Sequence, residues 1–292
     1  METFELESDH GPANELVCME IVGGIGAFEG RFRTPAIDFW ISTKPYRDES
    51  TGGDLHYVSL CGGGVTTRML LADVSGHGSH VQDYAEELRR LVKRHINAKA
   101  QSAFMESMNR GFAEYAAMNR FATAVAATWL GPQKSMELCI AGHPRPLVHR
   151  SAEGTWQVLG EGPAIAANSV GKSSLPVGID EDITFETFEM WLSPGDTLFF
   201  YTDSLIESRS PEGAMLGEAG LLTLAQATMA DLEGSAAPGA NLLKAVSAFR
   251  GGAPADDDET LIVARIREYS ARPWHVGERV KVFGKFFGLI DY

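Results

Sequence analysis

The stretch Leu70-Leu71-Ala72-Asp73-Val74-Ser75-Gly76-His77-Gly78 decides how the rest of the chain is read. An apolar run stops at an aspartate, and small residues then lead into a long amphipathic segment. A buried strand that delivers a carboxylate at its tip, beside a flexible turn, is a common way to build a metal or phosphate site. Asp-x-x-Gly also marks ordinary turns. The weight of Asp73 therefore depends on whether other carboxylates are delivered in the same way.

Upstream, Asp54 to Leu60 and Thr67 to Val74 read as two strands around Cys61-Gly62-Gly63-Gly64. That triple glycine lacks the spacing and following helix of a phosphate-binding loop, so it reads as a hairpin turn. Downstream the period changes: Val81, Ala85, Leu88, Val92 and Ile96 recur at helical spacing. Ser79 with Gln82 suits a capping box, and Asp83, Glu86 and Glu87 precede Arg89, Arg90, Lys93 and Arg94, which complements the helix dipole. A second helical segment runs from about Gln101 to Met118.

Further on, Phe121 to Leu130 with Met136 to Ala141, and Arg145 to His149 with Thr155 to Leu159, read as strand pairs. Residues 160 to 180 are loop-like. Ile183 to Leu192, Thr197 to Thr202 and Thr260 to Arg267 read as strands, with helices near Glu218 to Met229 and Ala240 to Phe249. Near the amino terminus, Val22-Gly23-Gly24-Ile25-Gly26 reads as a turn before a short strand from Ala36 to Ile41, and Ser42 to Gly53 as a loop. Many antiparallel strands with helices grouped in pairs indicate an α+β layered fold rather than a parallel sheet.

The 292 residues suffice for one domain with a substantial core. A formal net charge of −14 argues against nucleic-acid binding, which wants a basic face, and suits a site that concentrates carboxylates around cations. Cys18, Cys61 and Cys139 are widely separated, with no zinc-ligand spacing, and fit a reducing cytoplasm. The segment Met1 to Glu7 has no signal-peptide pattern. No run reaches the roughly 18 to 20 apolar residues of a bilayer span.

Other carboxylates repeat the pattern of Asp73. Asp203 closes the run Leu198-Phe199-Phe200-Tyr201-Thr202. Asp54 follows Gly52-Gly53 at the start of a strand, and Asp256-Asp257-Asp258-Glu259 stands directly before the strand at Thr260. Carboxylates gathered without cations suffer repulsion and desolvation. Hard divalent ions such as Mg²⁺ or Mn²⁺ relieve both, and a pair of them can activate water against a phosphoryl group. The same residues also suit an ordinary reading, in which Asp54 and Asp196 close turns and the acidic run is a solvated loop.

Taken in order, LADVSGHG at 71–78, AGHPRPLV at 141–148, LPVGI at 175–179, LSPGDTLFFYTDSLIES at 192–208 and DDET at 257–260 resemble the SpoIIE-like branch of the metal-dependent PPM (phosphatase-2C-like) serine/threonine phosphatases. The resemblance implies a four-layer α-β-β-α sandwich of two antiparallel sheets flanked by helices, with two Mn²⁺ or Mg²⁺ ions at one end. It implies that Asp73 bridges the ions, that the Val74 carbonyl binds one, and that Asp203 and Asp257 complete the shell of the other. Asp54 would bind directly or through water. Asp258 competes with its neighbour Asp257 for that role. The implied domain spans 52–268, with a packed extension at 1–51 and a tail at 269–292 that docks on the domain or a partner rather than on a membrane.

The implied activity is hydrolysis of phosphoserine or phosphothreonine on a regulatory protein, such as an anti-sigma factor antagonist, in bacterial partner-switching signalling. A partner, or movement of the helices after Ser79, would control it, and the expected partners include a regulatory protein or a second copy in a homodimer. Two positions depart from the family pattern: Ser204 stands where glycine is usual, and Glu259 where an apolar residue is preferred. Ser204 keeps a second reading open, a catalytically weak or inactive PPM-fold binding protein. His77 and His143 read as helix-entry packing and loop ordering rather than catalysts. A haloacid-dehalogenase-like role for Asp203 would need an early Asp-x-Asp and a parallel sheet, and neither is apparent.

Overall fold

The computed structural model describes residues 14–16, 20–61, 64–76, 81–96, 98, 100–118, 120–161, 166–168, 173–228 and 237–270. The strands are β1 (Asn14–Glu15), β2 (Ile21–Gly26), β3 (Phe28–Arg33), β4 (Ile37–Lys44), β5 (Thr51–Cys61), β6 (Thr66–Val74), β7 (Ala122–Leu130), β8 (Ser135–Ala141), β9 (Leu147–Arg150), β10 (Thr155–Val158), β11 (Ala166–Asn168), β12 (Glu186–Trp191), β13 (Thr197–Tyr201) and β14 (Glu259–Ile266). The helices are α1 (Gln82–His95), α2 (Gln101–Phe112), α3 (Asp203–Ile206), α4 (Gly217–Thr228) and α5 (Ala240–Phe249).

Two seven-stranded sheets form, in the orders β1-β3-β4-β14-β13-β9-β10 and β11-β12-β8-β7-β6-β5-β2. Among the described residues every neighbouring pair is antiparallel except β1 with β3. The fold is α+β.

The nearly continuous apolar runs arise because the central strands are covered on both faces. On β6, Met69 and Leu71 enter the core between the sheets, while Leu70, Ala72 and Val74 pack under α1 and α2. On β13, Leu198 and Phe200 face the other sheet, while Phe199 and Tyr201 meet Leu221, Leu242 and Val246 of α4 and α5. Side-chain alternation along each strand thus feeds two apolar layers at once. Four layers result: helix pair, sheet, sheet, helix pair.

The helical period is realised on α1, where Ala85, Leu88 and Val92, with Val81 and Ile96 at its ends, are buried. Arg68 of β6 reaches beneath it, donating to the Ile96 carbonyl at 2.5 Å and to Thr128 Oγ1 at 2.9 Å. A guanidinium there satisfies a carbonyl that the helix end leaves open. The segment expected as one helix over 101–118 tightens into a 3-10 helix from Ala113 to Met118. The Ser79 cap lies outside the described residues.

The amino-terminal reading needs correction. The glycine-rich stretch expected as a turn is strand β2, paired with β5, and the expected loop from Ser42 is strand as far as Lys44. A Cβ at Gly23, which has φ 142°, would overlap the His56 carbonyl. These glycines serve close strand approach and a bulge between Gly24 and Gly26 rather than a reversal. Strand β4 pairs with β14 along all eight residues, and Thr51 already opens β5.

Leu71→Ala, fully buried between the sheets, is expected to cost about 2–5 kcal/mol in urea unfolding. Trp191→Ala, at a side chain 58% exposed, should stay within about 0.5 kcal/mol. Equal losses would contradict this assignment of the core.

Candidate functional site

Strands β5 and β6 run antiparallel with Asp54 directly opposite Asp73. Asp54 is only 2% exposed. Its Oδ2 accepts hydrogen bonds from Thr260 Oγ1 at 2.6 Å and Thr202 Oγ1 at 3.0 Å, both on the opposite sheet. Thr202 and Thr260 continue the inward-facing registers of Phe200 and Ile262, which is why their hydroxyls reach across. The other oxygen, Asp54 Oδ1, is buried with no hydrogen-bond partner among the described residues.

Asp258 is occupied with the backbone. Its carboxylate accepts the Gly53 N–H at 2.5 Å and the Tyr46 N–H at 2.6 Å. It lies so close to Gly52 that a Cβ there would overlap it. A Cβ at Gly53 would sit 3.1 Å from the Val74 carbonyl oxygen and 3.4 Å from Asp73 Oδ1. The Gly-Gly pair therefore admits Asp258 on one side and keeps space open between the Asp73 carboxylate and the Val74 carbonyl on the other. Asp257 is half-buried, and its Oδ1 accepts the Asp258 N–H at 2.8 Å.

Asp203 begins the single-turn helix α3 and is half-buried. Burial raises its pKa above the ordinary carboxylate value, and Glu207 and Asp257 add to the rise. Asp73 is pushed up well above that value by burial, and then by Asp54, Asp203, Asp257 and Asp258. Asp54 is raised by burial and Asp258 against the opposing threonine hydrogen bonds. Asp54, Asp73, Asp203, Asp257 and Asp258 thus gather at one end of the sandwich, whereas Asp196 lies apart, paired with Arg150. Among the described residues, no three His, Cys, Asp or Glu side chains are grouped so as to hold a metal ion as they stand. The donor chemistry nevertheless fits a hard cation: all oxygen, one orphaned buried atom, and a space that a Cβ would fill.

His77 lies outside the described residues. His143 is buried, with Nδ1 2.9 Å from Thr123 Oγ1, and burial drives its pKa down to about 3. It stays neutral near pH 7, which suits ordering rather than acid catalysis. Sequence reading overlooked Thr202, Thr260 and the duty of Asp258. Strand alternation counted outward from Phe200 and Ile262 is the signal that would have found both threonines.

The family model for stage II sporulation protein E matches residues 63–267. The chain belongs to the SpoIIE family. Among solved structures, it is similar to the RsbU and RsbW domains of Rv1364c from Mycobacterium tuberculosis, with 22% identity, TM-score 0.64, and coverage of 93% of this chain and 70% of that one. It is also similar to the PP2C phosphatase domain with a regulatory-domain fragment of SpoIIE from Bacillus subtilis, at 16% identity, TM-score 0.63, and 85% and 70% coverage. The catalytic domain of the serine/threonine protein phosphatase PstP in complex with two manganese ions is similar at 14% identity and TM-score 0.53, with 80% and 99% coverage. A comparison with curated proteins found no match. This SpoIIE-family chain thus has the PP2C-type fold.

A carboxyl group with a raised folded-state pKa binds its proton more tightly in the folded than in the unfolded chain. Stability then falls as pH rises from the unfolded value, near 3.8, through the folded one. Without divalent ions, Asp73→Asn should be more stable than the unaltered chain at pH 7 and show a weaker decline with pH. Denaturant unfolding across pH 4–8 in chelator is the check. A less stable Asp73→Asn at pH 7 would contradict the electrostatics described here.

Proposed function

We propose that this chain is a Mn²⁺- or Mg²⁺-dependent protein serine/threonine phosphatase. The observation that carries the reading is the convergence of Asp54, Asp73, Asp203 and Asp257 on one end of the sandwich, beside the space kept by Gly53. The two manganese ions of the fold-related PstP support it. Asp73, the Val74 carbonyl, Asp203 and Asp257 would hold the ions. Asp54 would offer Oδ1 directly or through water. Asp257 is preferred over Asp258, whose carboxylate is committed to two backbone N–H groups.

Bound there, the ions would supply positive charge toward phosphoryl oxygens and lower the pKa of water. The chain's own part is to aim the acids and to leave the neutralising charge to the ions. Thr202 and Thr260, by donating to Oδ2, oppose the protonation of Asp54 that burial and its acidic neighbours favour. Asp258 fixes the Gly52-Gly53 backbone beside Asp73. Water would attack phosphorus, the ester P–O bond would break, and one proton of that water would end on the departing serine or threonine oxygen, leaving phosphate and a free hydroxyl. Neither described cysteine lies among these groups: Cys139 is buried under the helices and Cys61 ends β5 far from Asp54.

The substrate class follows the family. A phosphorylated regulatory protein resembling an anti-sigma factor antagonist fits, and the RsbU and RsbW domains of the related Rv1364c structure support a partner-switching setting; the cytoplasm is the compartment proposed for it. Regulation would come from a partner or from movement of the helices α1 and α2. Among the described residues no helix is long and apolar enough to cross a membrane.

Hydrolysis of a phosphatase reporter should appear with Mn²⁺, vanish with chelator, and fall at least about 100-fold in Asp73→Asn, since outer-shell losses alone cost 10–100-fold. Metal-independent turnover, or an undiminished Asp73→Asn, would sink the mechanism. Partner binding without turnover at any metal concentration would favour the binding-protein reading, for which buried Ser204 is the motivating residue.

A further inference from the structure

The two departures from the family pattern, Ser204 and Glu259, meet through one side chain. Arg250, at the C-terminal end of α5, donates through Nη1 to Glu259 Oε2 at 2.7 Å and to Ser208 Oγ at 3.1 Å. Ser208 Oγ in turn donates to the Ser204 carbonyl at 2.9 Å. The Arg250 and Glu259 side chains are only 9% and 11% exposed, so the pair is nearly dry. Glu259 lies two residues beyond Asp257, and Ser204 directly follows Asp203. The Glu207 N–H closes on the Asp203 carbonyl at 2.8 Å, which makes the Asp203–Ser208 segment a compact unit. One guanidinium is therefore bonded to both of the segments that carry Asp203 and Asp257.

We propose that Arg250 is a positioning residue that sets the spacing of Asp203 and Asp257 and ties it to the end of α5. The inference rests on the metal-dependent phosphatase reading above. Asp203 and Asp257 repel each other, and each lies just beyond the last hydrogen bonds of the β13–β14 pair, those between Thr202 and Thr260. Arg250 adds a constraint beyond that point, and Glu259 is the residue that makes a buried guanidinium tolerable there. An apolar residue at 259 would leave Arg250 without its carboxylate, so the two side chains act as one buried pair. Arg250 touches no substrate; it acts through the segments it holds.

Mn²⁺ binding to the full chain, measured by isothermal titration calorimetry without substrate, tests the proposal alongside thermal unfolding in chelator. Arg250→Met should weaken Mn²⁺ binding about 10- to 100-fold, the range seen when outer partners of metal ligands are lost. Ser208→Ala, which cuts only the branch to Ser204, should weaken it less, and Arg250→Lys should recover part of the loss. The double variant Arg250→Met/Glu259→Leu replaces the ion pair with apolar contact. It should regain the unfolding temperature that Arg250→Met alone loses, yet keep the weakened Mn²⁺ affinity. Wild-type Mn²⁺ affinity in the folded double variant and in Ser208→Ala would overturn the proposal and leave the pair purely structural. An unaltered chain that binds no Mn²⁺ would overturn the phosphatase reading and this inference with it.

Discussion

A buried carboxylate joins the two sheets at one end. Asp54 leaves β5 of one sheet and is held by hydroxyls from Thr202 and Thr260 of the other. The Thr260 N–H also donates to Thr202 Oγ1 at 3.0 Å, so β13 and β14 must hold their register for either threonine to reach Asp54. Asp258, two residues before Thr260, returns the constraint by fixing the Gly53 N–H beside Asp54. Strand ends from both sheets are therefore placed by the same few hydrogen bonds. They do not neutralise the cluster: Asp54, Asp73 and Asp203 all keep raised pKa values because burial and mutual repulsion outweigh the donors supplied. A scaffold with three apolar layers between its four structural layers can carry such a local penalty, and perturbed acids gathered in a cleft are candidates for a functional site.

The central strands were legible because burial on both faces turns them into unbroken apolar runs. Helix α1 was legible because only one of its faces is buried. Strand β2 was not, and the reason is local: Gly23 and Gly24 look like turn chemistry, yet Gly23 is required where the His56 carbonyl approaches the backbone. Nothing in the neighbouring residues distinguishes a glycine that reverses the chain from one that lets another strand come close. The short edge strand β11 was hidden for a related reason, since the loop-like residues around it carry no alternation.

The site was legible in its acids and illegible in their supports. Asp73 and Asp203 announce themselves as charges that end apolar runs, a placement that a folded core forbids without purpose. Thr202 and Thr260 do not, because threonine inside a strand is ordinary. Asp257 and Asp258 are adjacent and chemically identical in sequence. Only the backbone N–H groups of Tyr46 and Gly53, more than two hundred residues away in sequence, separate their duties. What sequence pattern misses here is partner choice across long separations.

Departures from a family pattern call for the same attention to partners. Glu259, where the resemblance implies an apolar residue, is beside Arg250 half of an ion pair. Ser204 stands where the resemblance implies glycine. Its hydroxyl lies 3.4 Å from Thr202 Oγ1. The Thr202 proton is directed at Asp54, so its oxygen is free to accept, and it already accepts the Thr260 N–H. With Ser204 as the donor, the hydroxyl adds to that chain in the sense that polarises Thr202 and strengthens its hold on ionised Asp54. The geometry thus favours a Ser204 that supports the charge of the site over one that closes it.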